Sequence, residues 1–163
     1  MLLRVARFIG LLFLALALGI GFSTLIGGGA RMDLSGTVFL NMQQVLYQDI
    51  GRVTGLVEPI AFIAVLLSVL SVFRRKPFFI MTLVTLVCVA AMIALRILVI
   101  RPLHLAITSW SAENIPDAWM LMRNRYYLFT ALRVVLAIIG FCSYTLAVLF
   151  DTPPYRVVNR GSQ

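Results

Sequence analysis

Three ionisable residues of this 163-residue chain stand inside apolar runs: Glu58, Arg96 and Arg133. The single histidine, His104, follows the third run. A charge at the centre of a spanning helix costs about 3 kcal/mol on insertion scales, so each such residue needs a partner or a task. Two cations and one acid leave a surplus of positive charge, which suits an anion, an enolate or a quinone oxygen. The bland alternative is structural: Glu58 neutralises one arginine and the other snorkels to the headgroups. His104 has three readings: a hydrogen-bonded residue at the membrane interface, a base or donor toward a bound ligand, or a metal ligand. Haem held between helices wants a second axial ligand, and there is no second histidine. Zinc needs three or four ligands, and no His, Cys and carboxylate cluster has that spacing. Neither a metal nor a cofactor is therefore expected.

The elements that must carry these residues are membrane helices. The chain is 61% hydrophobic and 12% charged, with a mean hydropathy of +1.00, against roughly 25% charged residues in soluble domains. Four runs approach the roughly 20 apolar residues a span requires: residues 8–29, 56–73, 78–100 and 128–150. The fold class expected is an all-α, single-domain integral membrane four-helix bundle. A net charge of +8 on a soluble chain would suggest nucleic acid. Here the bases form short clusters beside apolar runs, as topology determinants do, so no nucleic-acid partner is expected. Arg4 and Arg7, the "RRKP" turn at residues 74–77, and Arg156 with Arg160 mark one side as cytoplasmic. That puts both termini in the cytoplasm, in a membrane of the bacterial inner (plasma) type. The outer loops then cover residues 30–55 and 101–127. The first run is longer than the core of a signal peptide and is read as a span; cleavage there is the alternative, and would leave the orientation of the rest unchanged. Cys88 and Cys142 lie in apolar runs without a CxxC and read as small buried hydrophobes.

The first outer loop carries an additional amphipathic helix. Val38, Met42, Val45, Leu46 and Val53 recur at helical spacing, while Gln44, Gln48, Arg52 and Gly55 follow on another face and lead toward Glu58. Pro59 is expected to kink the junction with the second span. Pro102 should end or bend the third helix. Trp110, Trp119, Tyr126 and Tyr127 suit an aromatic belt, and "NIPDAW" reads as a turn with Pro116 just inside the last helix. Small residues let membrane helices approach closely: Gly19, Gly21, Ser23 and Gly27 in the first span, Ala90, Ala91 and Ala94 in the third, Ala137, Gly140 and Ser143 in the fourth. On these spans Glu58, Arg96 and Arg133 fall at one level, in the outer half of the bilayer. His104 and the Gln44/Gln48 face sit just above.

The order of features resembles the anthrone oxygenase-like membrane family. Pro102-Leu103-His104 stands where that family ends its third span in a Pro-x-Asn-like element. Pro116-Asp117-Ala118-Trp119 matches its P-x-x-W turn. Arg123-Asn124-Arg125-Tyr126 stands for its R-x-R-W, and Arg133 for its helix arginine. The likeness is clearest over residues 101–148. His104 replaces the family's asparagine, Tyr126 its tryptophan, and Thr130 a polar residue. The resemblance implies four spans and a cofactor-independent oxygenase of polycyclic phenolic substrates. Under that implication His104 or Glu58 is the catalytic base. Arg96 and Arg133 hold the anionic oxygen, and Gln44, Gln48, Trp110 and Trp119 complete the ligand site.

Three functions follow as expectations. The first is an enzyme or binding protein for an apolar aromatic or quinone-like ligand. The second is a non-catalytic accessory subunit of a larger membrane complex, with the outer loops as contact surface. The third is a small transporter, which would require a homo-oligomer. Membrane lipid is the partner common to all three.

Overall fold

The computed structural model describes residues 2–151, apart from the side chains of residues 2, 29–31 and 46–48. Gln48 and Leu46, as side chains, and Arg156 and Arg160 lie outside the described residues. The chain forms α1 (Leu2–Met32), α2 (Gly36–Val72), α3 (Lys76–Leu95), a π-helical turn (Arg96–Ile100), α4 (Arg101–Thr108) and α5 (Trp119–Phe150). Four stretches are long and apolar enough to cross a membrane: Leu3–Gly28, Asp49–Val72, Lys76–Thr108 and Trp119–Phe150. The fold is an all-α four-helix membrane bundle.

α1 and α3 each pack against both α2 and α5, which gives a square. One end of the square holds the tight α2–α3 turn and the chain's first residues (the turn end). The other holds the connections at residues 33–35 and 109–118 (the loop end). Little of the expected outer loops is loop. α2 has 37 residues, about 55 Å at ~1.5 Å per residue, well beyond a hydrocarbon layer of about 30 Å. The additional helix and the second span are thus one helix, and it continues through Pro59.

The part of α2 outside the span packs through buried Phe39 and Leu40 against Ile107, Trp119, Tyr126 and Tyr127, with Gln43 buried beside them. Val38, Val45 and Val53 are exposed. The apolar spacing in the sequence thus marks an outward face. Of the small residues, Gly19, Ser23, Ala90 and Ala94 are exposed, while an added Cβ at Gly21 would lie 3.1 Å from Val134 and one at Gly140 3.3 Å from Cys88. The tightest approach on α1 is at Gly10, where an added Cβ would lie 2.6 Å from the Tyr144 hydroxyl. Tyr144 is buried across the bundle and shares a 2.6 Å hydrogen bond with Ser68.

Pro102 bends the third span without ending it. Its ring displaces the carbonyl of residue 98 and supplies no N–H. The chain answers with the π turn, in which the Arg101 N–H reaches the Arg96 carbonyl, and helix resumes as α4. A single residue is absorbed in this way, as π-bulges do. The last helix starts at Trp119, three residues beyond Pro116, with the Trp119 N–H on the Pro116 carbonyl at 2.9 Å.

Candidate ligand cavity

At the loop-end half of the bundle, five helical segments leave a cavity of about 870 Å³, within the range of small-molecule sites. Ala17, Ile20, Met92, Ile100, Val134 and Ala137 supply apolar wall. Thr24, Thr54, Thr108 and Thr130 also line it, and each hydroxyl donates to the carbonyl one turn earlier on its own helix. Their donors are spent. The unspent polarity belongs to Arg52, Arg96, Arg101 and Arg133, with His104 beside them. No carboxylate is among the described lining residues.

Glu58 lies behind this wall, fully buried. Arg133, from the facing helix, gives its Oε1 two hydrogen bonds, from Nε at 2.9 Å and Nη2 at 2.5 Å. Arg96 reaches Oε2 with Nη1 at 3.4 Å and the Gly51 carbonyl with Nη2 at 3.1 Å. The acid therefore neutralises both intramembrane arginines jointly, and neither snorkels. This geometry leaves Glu58 without the access a base needs, because both oxygens are engaged and the carboxylate is walled off. The two guanidiniums share one counter-charge and carry five N–H donors each, so the pair enters the cavity wall with a net charge of one cation.

Gly55 makes the Arg96 position available. A Cβ there would lie 2.7 Å from Nη2. Pro59 contributes from the same helix: lacking an N–H, it leaves the Gly55 carbonyl without its helical donor, so this stretch of α2 offers bare, electronegative backbone beneath a guanidinium.

His104 follows Arg101 by three residues on α4, so both face the cavity. Its Nδ1 sits 3.2 Å from Oε1 of Gln43, a fully buried side chain. With that oxygen accepting, Nδ1 carries the hydrogen and Nε2 the lone pair. Gln43 Nε2 is buried with no partner among the described residues. Gln44 lines the cavity and ties α2 to the end of α4, donating to the carbonyls of Thr108 (3.2 Å) and Trp110 (3.3 Å), which a helix end leaves unsatisfied.

The expected site residues thus divide. Arg96, Arg133, His104 and Gln44 come together on one cavity. Trp110 and Trp119 do not: Trp110 is half-buried against the cluster around Phe39, and Trp119 packs at 6.2 Å on Phe39 with Arg123 at 4.8 Å over its ring. Arg52, Arg101, Gln43 and Gly55 join the site with roles that the sequence reading did not give them. The signal for Arg101 was present, because Arg101, His104, Leu105 and Thr108 follow the i, i+3, i+4, i+7 pattern of one helix face. Reading residues 101–127 as an outer loop hid it.

A second ion cluster closes the turn end. Asp151 is buried and accepts from Arg7 and, at 2.6 Å, from Arg75. Burial alone would raise its pKa; the hydrogen bonds and charges of Arg7 and Arg75 outweigh that and hold it below the ordinary aspartate range. Among the described residues no three His, Cys, Asp or Glu side chains gather as a metal site would need.

Fold and site define an integral membrane helix bundle with a cationic, partly apolar cavity in one half. Compared with known proteins, the chain matches no family model, no curated protein and no solved structure.

Proposed function

We propose that this protein binds an apolar aromatic or quinone-like molecule carrying an acidic oxygen, with the oxygen on the arginines of the cavity. The observation that carries the reading is the asymmetry of charge: four arginines and a histidine line the chamber beside apolar wall and threonines whose hydroxyls are spent, while the acid that balances two of the arginines is sealed behind it. A guanidinium in a low-dielectric site is worth far more to an anion than one in water. Two further findings weigh against the competing functions. Trp110 and Trp119 pack, half-buried, on the cluster around Phe39, which reduces the aromatic surface an accessory subunit would present. The polar groups deeper in the bundle, Ser68, Thr85 and Tyr144, bond within it, as with Thr85 to the Gly140 carbonyl at 3.1 Å, and give a transported solute no path.

The orientation belongs to this proposal. Arg4, Arg7, Arg74, Arg75 and Lys76 gather at the turn end against one described acid, Asp151. The positive-inside rule makes that end cytoplasmic and places the cavity in the outer leaflet.

The test is equilibrium retention by the detergent-purified protein of a hydroxynaphthoquinone, ionised at neutral pH, beside its uncharged parent naphthoquinone. The ionised compound is expected to be retained preferentially, and Arg133→Gln and Arg101→Gln to remove the preference. Equal retention of both compounds by parent and variants would overturn the reading.

Catalysis is a second reading, favoured by one observation: His104, its ring held by Gln43, shares the cavity with Arg96 and Arg133. His104 would take a proton from an acidic ring CH2, and the arginines would hold the resulting enolate. Dioxygen adds at carbon, the proton returns to give a hydroperoxide, and loss of water leaves a ketone. Oxygen uptake with an anthrone, abolished in His104→Gln, tests this. Uptake unchanged in the variant would exclude His104 as the base.

A further inference from the structure

The cavity is closed unevenly. On α1 and α5 its walls are Ala17, Thr24, Tyr126, Thr130, Val134 and Ala137, buried, with Ile20, Gly21 and Arg133 half-buried and none of them exposed. Every exposed lining residue lies on α2 or α4: Gln44, Gly51, Arg52 and Leu56 on the first, Arg101 and Leu105 on the second. The opening is therefore a slot between these two helices. Toward the loop end the slot is bridged, because Gln44 spans from α2 to the carbonyls at the end of α4. Toward the middle of the span no described side chain bridges it. Leu56 is 70% exposed and Leu105 58%, and both lie within stretches apolar enough to cross a membrane. Gly51 has open space where a side chain would stand, so the α2 lip is backbone at this level. Arg52 and Arg101 stand at the same lips. Arg101 has no ion pair among the described residues, and Arg52 pairs only with exposed Asp49, at 3.2 Å.

We propose that the cavity is filled sideways from the lipid, through this slot, and that its ligand is a membrane-dissolved amphiphile: an acidic ring head with a long apolar tail. This rests on the ligand-binding reading above and names the class of ligand and its route. The head passes the lip arginines and stops at Arg96 and Arg133. The tail stays in the slot, leaving past Leu56 into hydrocarbon, where an apolar chain loses nothing by remaining. A water-borne ligand would need the loop-end side, which Gln44 bridges.

The test uses the full chain in phosphatidylcholine vesicles, with quinone quenching of tryptophan fluorescence as readout. The probes are a hydroxynaphthoquinone bearing a long n-alkyl chain and the same head without it. The tailed probe is expected to bind more tightly. The double variant L56F/L105F should slow its association several-fold, and L56A/L105A should speed it. Leu132→Phe, an exposed position on α5, should change neither rate. If both probes bind alike and the slot variants load at the parental rate, the lateral route is wrong while the binding reading stands. If neither probe binds the parent, both fall together.

Discussion

Glu58 and Arg133, on helices that face each other across the bundle, meet through two hydrogen bonds onto one carboxylate oxygen. With Arg96 on the other oxygen, three of the four spans are joined at one depth. Removing one partner of a buried ion pair costs about 3–5 kcal/mol, mostly because the other charge is left stranded. Among the described residues Glu58 is the only acid paired with these two cations, so Glu58→Gln is expected to lose more stability than Arg96→Gln. Thermal unfolding in detergent, followed by cysteine accessibility, measures both. A Glu58→Gln midpoint equal to that of the parent would show that the cluster does not hold the bundle together.

Gly55→Ala separates site from scaffold. Alanine is favoured over glycine in a helix by about 1 kcal/mol, and the added Cβ meets only the far end of a flexible side chain, Arg96 Nη2 at 2.7 Å. The guanidinium must swing away from the Gly51 carbonyl. Stability is expected to hold or rise slightly, while affinity for the ionised hydroxynaphthoquinone falls. The same affinity in the variant would mean that Arg96 holds no ligand.

Much of this was legible in the sequence, and the limits have physical causes. Four spans follow from apolar length, and the convergence of Glu58, Arg96 and Arg133 from the cost of charge in hydrocarbon combined with helical rise. The rest needed the fold. Of the two outcomes expected at Pro102, an end or a bend, the helix took the one that lets it continue, because a π turn absorbed the proline. Val38, Val45 and Val53 did not mark a buried face, because the buried side of α2 runs through Phe39, Leu40 and Gln43 instead. Glu58 could be read as base or as counter-ion, since the sequence does not say on which side of the arginines it lies; the fold puts it behind them. Arg101 and Arg52 fall in the outer loops by sequence, because their depth matches the interface, where the cavity opens.

Asp151 links the turn-end cluster to pH. Its folded-state pKa is depressed by Arg7 and Arg75, so its stabilising contribution is full above the unfolded-state value, about 3.9 for an aspartate, and is lost as pH falls through the folded value. Stability should therefore drop on acidification below about pH 4, and Asp151→Asn should be less stable than the parent at neutral pH and lose that acid limb. Unfolding midpoints of both across the acid range decide it; parallel curves would remove Asp151 as the cause.

His104 is the only histidine in the chain, so selective 15N labelling reports on one ring. Gln43, buried and bonded to Nδ1 at 3.2 Å, should hold the hydrogen on Nδ1 and leave Nε2 as the unprotonated nitrogen, the state a base requires. In the parent the Nδ1 and Nε2 shifts are expected to be those of this single tautomer. Gln43→Leu removes the acceptor with little change of volume and should release the ring into a mixture with hydrogen on Nε2. Gln43→Glu restores an acceptor and should restore the tautomer. If instead the parent shows hydrogen on Nε2, the amide of Gln43 donates to Nδ1 through its nitrogen, His104 presents a donor to the cavity, and its role toward an acidic ligand is to bind the anion and not to make it.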